Sequence, residues 1–156
     1  MKSWTKDIVI EVPIEQVWNL LNGSLEDMQK IMPAVVAHEP VKLTDEKIGS
    51  IYLQRYREGN REQEYEVQTL DYINDDFFKK LKVGFTLAKL FKITAEYELK
   101  SIETNKTNFR YTTTNTPLKW FLKPLVKFAS DKVVVQFVER VKKEAEQQAL
   151  QSSGQL

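Results

Sequence analysis

The sequence predicts an α+β domain in which one strand, two short helices and six further antiparallel strands precede a long terminal helix that covers one face of the sheet. Three observations predict it. Within IVIEVPIEQVWNLLNG, Ile8 to Gly23, an extended apolar run gives way at Pro13 to helical spacing at Ile14, Val17, Trp18 and Leu21. From there to about Asn115, segments of alternating polarity follow one another between turn residues. After Pro117 the helical period returns and lasts almost to the end.

Residues 3–12 form the first strand, and Pro13 both ends it and starts a helix, because proline supplies a helical φ and needs no hydrogen-bond partner in a helix's first turn. That helix runs to about Leu21. Asn22, Gly23 and Ser24 break it, with Ser24 placed to cap a second short helix, LEDMQKIM, which Pro33 closes. The strands that follow are VVAHEPVKLT, SIYLQRYRE, REQEYEVQTLDYI after a Glu58-Gly59-Asn60 turn, DFFKKLKVGFT, FKITAEYELKSIE and TNFRYTTTN. Alternation is clearest in the fifth of these, where Phe91, Ile93, Ala95, Tyr97 and Leu99 share one face and Lys92, Thr94, Glu96, Glu98 and Lys100 the other. One face is therefore wet and the other covered. The long helix spans about Leu118 to Ala149, with an irregular start expected from Pro117 and Pro124. Lys119, Lys123, Lys127 and Asp131, four apart, draw a solvated stripe along it. Beyond Lys142 the sequence turns polar and is expected to fray, giving a single domain over 1–150 and a disordered tail over 151–156.

Composition narrows the chemistry. A chain of 156 residues with 23 Lys plus Arg against 22 Asp plus Glu is near neutral, so no global field recruits nucleic acid or an acidic membrane. Without cysteine there is no disulfide framework, thiolate metal site or cysteine nucleophile. The N-terminal segment lacks an apolar core of signal-peptide length and no run is long enough to span a bilayer, so the chain is read as soluble and cytoplasmic. His38 is the only histidine, expected on a surface or edge strand, and the sequence has no HExxH, GxSxG, GxxxxGK[ST] or GxGxxG pattern. No metal and no cofactor are expected. The basic-aromatic runs FFKKLK and KPLVK resemble nucleic-acid surfaces, but acidic strands such as REQEYE oppose that reading.

The element order, together with I-x-V-P-I-E-Q-V-W-N-L-L, KIMPAVVAHEPV, IGSIYLQ and TPLKWFLKPLVKFASDKVVVQFVERVKK, resembles the helix-grip fold of the SRPBCC or START-like superfamily, which includes birch-pollen-allergen-like proteins. The last of these segments looks like the superfamily's polyketide cyclase/dehydrase-like branch. The resemblance covers about residues 3–145. It implies a curved seven-stranded antiparallel sheet gripping the terminal helix, with the two short helices plugging one end of the groove between them. Trp18 would then anchor the plug or touch a ligand.

The presumed inner face carries Tyr52, Gln54 and Tyr56, then Tyr65, Val67 and Thr69, then Leu81, Val83 and Phe85. Tyr97 follows on the next strand and Phe109, Tyr111 and Thr113 on the last, with Phe128 facing them from the terminal helix. A dry core would prefer aliphatic residues, since each buried hydroxyl or amide without a partner costs about 1–3 kcal/mol. So many tyrosines, with Gln54, suggest a cavity that admits water or a ligand with polar atoms; the alternative is rings packed shut with their hydroxyls at the rim. At one end, Leu87, Leu90, Leu118, Trp120 and Phe121 beside Lys89, Lys92, Lys119 and Lys123 suit a cavity entrance or a transient membrane contact; the alternative is that Trp120 and Phe121 fold onto the sheet.

These readings favour a noncatalytic protein that binds or carries a small hydrophobic or amphipathic molecule, lipid- or polyketide-like, between sheet and helix. The resemblance also admits a polyketide cyclase/dehydratase-type enzyme using the same cavity, for which Glu39 and Tyr97 are the acid–base candidates by position. A third reading is a protein-interaction module similar to chaperone-activating members of the superfamily.

Overall fold

The computed structural model describes residues 1–124 and 130–153. Strand β1 (Lys2–Ile10) leads into helices α1 (Ile14–Asn22) and α2 (Leu25–Ile31). The strands β2 (Val35–Lys42), β3 (Ile51–Glu58), β4 (Arg61–Asn74), β5 (Phe78–Leu87), β6 (Phe91–Glu103) and β7 (Lys106–Pro117) follow, then a 3-10 turn at Trp120–Leu122 and helix α3 (Lys132–Ser153). The seven strands form one sheet in the order β1-β7-β6-β5-β4-β3-β2, antiparallel at every pairing. The fold is the helix-grip α+β architecture. No helix among the described residues is long and apolar enough to cross a membrane.

Local chemistry fixes the corners. Ser24 caps α2 by accepting from the Asp27 amide, as the break after α1 predicts. Where β1 turns into α1, the buried hydroxyl of Thr107 donates to the Val12 carbonyl at 2.8 Å, satisfying a backbone acceptor that has no place in the sheet. The side chain of Lys79, 2% exposed, reaches Glu15 Oε1 at 2.8 Å and Asn74 Oδ1, with its ammonium 5.8 Å from the Trp18 ring. One residue thus ties the first turn of α1 to the end of β4. Trp18 lies in the core beside Tyr72.

The C-terminal region departs from the sequence reading. Strand β7 extends to Pro117, and a 3-10 turn stands where a long helix starting near Leu118 is expected. Helix α3 also continues through Lys142 to Ser153. Its polar end is rich in Ala, Glu, Gln and Lys, which favour helix intrinsically. A contact to the sheet side adds to this: Lys142 Nζ holds Glu146 Oε2 at 2.6 Å and the Val9 carbonyl at 2.9 Å, and Glu146 accepts from the Glu11 amide. Burial raises the Glu146 pKa, but the Lys142 and Glu11 hydrogen bonds outweigh it and hold the carboxyl below its usual range.

The position of α3 opens the groove. Its inward residues Val134, Val138, Val141 and Ala145 recur at helical spacing, and its main contacts are with β1, β7, α1 and α2. The core therefore gathers Ile10, Val17, Trp18, Leu20, Leu99 and Phe109 under one side of the sheet. None of the described helices lies directly on the inner faces of β3, β4, β5 and the far part of β6. The outer face is wet and charge-paired, with Asp7–Arg110, Lys80–Asp71 and Arg55–Glu62 pairs across neighbouring strands.

Candidate functional site

The uncovered half of the sheet encloses a cavity of about 710 Å³. Its floor is Tyr52, Gln54 and Tyr56 from β3, Tyr65, Val67, Thr69 and Tyr72 from β4, and Leu81, Val83 and Phe85 from β5. Ile93, Ala95 and Tyr97 from β6 and Tyr111 and Thr113 from β7 complete it. The opposite wall comes from the α1–α2 junction at Leu21, Asn22 and Gly23, from Met28, from Met32 to Val35, and from Arg140 of α3. The volume falls within the roughly 300–1,000 Å³ usual for small-molecule sites.

Of the residues expected from the sequence, Tyr52, Gln54, Tyr56, Tyr65 and Val67 line this space, as do Leu81, Val83, Phe85, Tyr97 and Tyr111. Trp18 and Phe109 do not: both are core residues, Phe109 because it sits under the half of the sheet that α3 covers. Phe128 lies outside the described residues. The expected entrance residues do gather at one end of the sheet, where the Leu118 amide donates to the Leu90 carbonyl at 2.8 Å. Leu118, Trp120 and Phe121 are exposed there, Trp120 at 80%, and Leu87 and Leu90 are half-buried. None of these five lines the cavity. The exposed lining residues are instead Asn22, Gly23, Pro33, Lys47 and Arg140, so the described cavity meets solvent beside α2 and the β2–β3 loop.

His38 is the lining residue the sequence reading placed elsewhere. It does sit on an edge strand, yet its ring faces the cavity, stacked on Tyr52 with centroids 4.5 Å apart. A register shift between Val35 and Ala37 explains it: Val35 and His38, three residues apart, both reach the inside, which strict alternation forbids. Tyr72 enters by the same device, a shift between Thr69 and Asp71 on β4. The pairing of His38 with Gln54 across β2 and β3 was the signal that could have found the histidine, but only once the register was known.

Polar groups inside are joined. His38 Nδ1 lies 2.8 Å from Gln54 Oε1, and Gln54 Nε2 donates to Tyr65 Oη at 2.9 Å. Burial lowers the His38 pKa, opposed by the Gln54 hydrogen bond, and burial raises that of Tyr65. Both are neutral near pH 7. Tyr97 and Tyr111 stack at 5.5 Å and meet Phe137 of α3, forming an aromatic wall. Burial raises the pKa of both tyrosines, most strongly for Tyr97, whose hydroxyl therefore keeps its proton across the physiological range.

The two acid–base candidates fare differently. Glu39 is exposed on β2 opposite Leu53 and is not part of the lining, since His38 takes the inward position. Tyr97 is in the cavity as a neutral hydroxyl. Among the described residues the cavity lining contains no carboxylate, and no group of three or more His, Asp or Glu could hold a metal ion.

Comparison with known proteins places this geometry. No curated protein sequence matches the chain. Among solved structures, the di-domain ARO/CYC BexL is similar with a TM-score of 0.73 at 11% identity, over 94% of this chain and 47% of that one. The chain thus spans about half the length of that di-domain protein. The Zhui aromatase/cyclase from Streptomyces sp. R1128 is similar with a TM-score of 0.68 at 11% identity, over 95% of each chain. Ara h 8.0201 is similar with a TM-score of 0.61 at 14% identity, over 94% of this chain and 98% of that one. These likenesses carry the fold alone. With the family model for polyketide cyclase / dehydrase and lipid transport matching residues 1–146, the chain belongs to that family.

Proposed function

We propose that this protein binds or carries a small hydrophobic or amphipathic molecule, lipid- or polyketide-like, in the space between β3–β6 and the helices. The observation that supports it is the cavity itself: about 710 Å³ lined mainly by aromatic and aliphatic side chains with a few joined polar groups. A core of this size built for stability alone would close such a void, because interiors pack at crystal-like density. Native mass spectrometry of gently extracted protein tests the reading. A noncovalent adduct that leaves on denaturation is expected, and Ala95→Trp, which fills the floor, should reduce it. An adduct-free spectrum together with no uptake of an added apolar fluorophore would overturn the proposal.

A second reading, a cyclase or dehydratase acting in the same cavity, draws support from the family's description. It requires an ionisable lining residue whose neutral replacement abolishes turnover, and His38 is the candidate by position, in place of Glu39. Exposed Leu118, Trp120 and Phe121 beside Lys119 and Lys123 support transient membrane contact by the carrier, in a cytoplasmic setting. Trp120→Ala should weaken binding to anionic liposomes; unchanged binding would remove the membrane from the proposal.

A further inference from the structure

Three neighbouring strands place His38, Gln54 and Tyr65 in one row: His38 is opposite Gln54, and Gln54 is opposite Tyr65. All three line the cavity. Gln54 uses both ends of its amide, its oxygen toward His38 Nδ1 and its nitrogen toward Tyr65 Oη. Nδ1 therefore carries the imidazole proton, leaving a lone pair on Nε2, while Tyr65 retains an O–H to give. Neither His38 Nε2 nor the Tyr65 proton has a partner among the described residues.

The chain thus ends in one free acceptor and one free donor. Turning the Gln54 amide over would exchange the two ends but keep one of each. A hydroxyl, which both gives and takes a hydrogen bond, can meet either end in either orientation. A hydrocarbon meets neither. A carboxylate or ketone meets only the donor, and a carboxylate must also shed its hydration beside a His38–Gln54–Tyr65 chain whose own groups are uncharged. The rings are held in place by stacking, His38 on Tyr52 at 4.5 Å and Tyr65 on Phe85 at 4.8 Å. The cationic lining residues, Lys47 and Arg140, are exposed at the rim, and Arg140 Nη1 already donates to the Ile31 carbonyl.

We propose that the His38–Gln54–Tyr65 chain is the specificity element of the cavity and selects ligands bearing a neutral hydroxyl, an alcohol, phenol or enol, over hydrocarbons and ionised acids. The proposal rests on the cavity reading above and names the ligand class it would take. Three fluorescent probes of one shape separate the possibilities: 1-pyrenebutanol, 1-butylpyrene and 1-pyrenebutyrate, titrated at neutral pH into the wild-type protein, Tyr65→Phe and Gln54→Leu. Tyr65→Phe keeps the ring and its stacking. It should weaken pyrenebutanol roughly three- to tenfold, the worth of one hydrogen bond, and leave butylpyrene within about twofold. Gln54→Leu should act in the same direction. Equal responses of the alcohol and the hydrocarbon, or a larger loss for pyrenebutyrate than for pyrenebutanol, would overturn the assignment. Failure of all three probes to bind the wild-type protein would instead overturn the cavity reading, and this assignment with it.

Discussion

The Lys79–Glu15 pair ties the first turn of α1 to the sheet, and its two partners are predicted to differ in cost. Lys79 is 2% exposed and Glu15 63% exposed, so the pair is buried on one side only. Replacing Glu15 by Ala leaves a sealed ammonium with Asn74 and the Trp18 ring as its remaining partners. Losing a hydrogen bond to a buried charge costs about 1.5–3 kcal/mol. Replacing Lys79 by Met removes the charge and fills the same channel with apolar atoms, while Glu15 and the exposed Asn74 return to water. Such exchanges are often close to neutral, so about 0–1 kcal/mol is expected. The double variant should then resemble Lys79→Met alone, because Glu15 matters only through the ammonium it neutralises. Urea unfolding of the four proteins measures all three values. If Lys79→Met is the more destabilising substitution, or if the two losses add, the ammonium is not a buried charge dependent on Glu15 and the reasoning fails.

Three further outcomes follow from the same geometry. Thr107→Val keeps the shape of a fully buried residue but strands the Val12 carbonyl, and should cost about 1–3 kcal/mol in urea unfolding. Gly23→Ala would place a Cβ 2.1 Å from the Asn19 carbonyl oxygen at the α1–α2 junction, which only backbone movement can relieve; a loss of about 1–3 kcal/mol and an altered cavity wall are expected, read by unfolding and by probe uptake. His38 is held below its ordinary value of 6.5 by burial, so the unfolded chain binds its proton first as pH falls. The stability it contributes is complete above about pH 6.5, falls as the pH drops toward the folded pKa and stops changing below it. Wild-type protein should therefore lose more stability than His38→Gln between pH 7.5 and 5.5, and identical pH profiles would contradict a buried neutral imidazole.

The strands were legible in the sequence because a half-covered sheet leaves a period-two imprint, clearest in β6, where Ile93, Ala95 and Tyr97 do face inward. What failed to show were interruptions of that period. Register shifts in β2 and β4 carry His38 and Tyr72 to the inner face, and no residue type in VVAHEP or TLDY announces an extra residue. The run FFKKLK reads as a basic face with aromatics nearby, yet Lys79 is buried because Glu15 and Asn74, distant or unremarkable in sequence, meet it in space. Phe109 alternates correctly and still misses the cavity: period decides the face of the sheet, but only the placement of α3 decides which part of that face is covered. The lining contributed by Gly23, Lys47 and Arg140 depends on packing between elements far apart in the chain, for which local pattern carries no signal.

A nuclear magnetic resonance titration with 1-pyrenebutanol tests the guest-holding space most directly. Shifts should concentrate at Tyr65, Val67, Val83, Ala95 and Tyr111, which line the cavity, and spare Thr5, Glu96 and Thr112 on the outer face. Shifts confined to the outer face or to Trp120 and Phe121, with the inner residues unmoved at saturating probe, would contradict it.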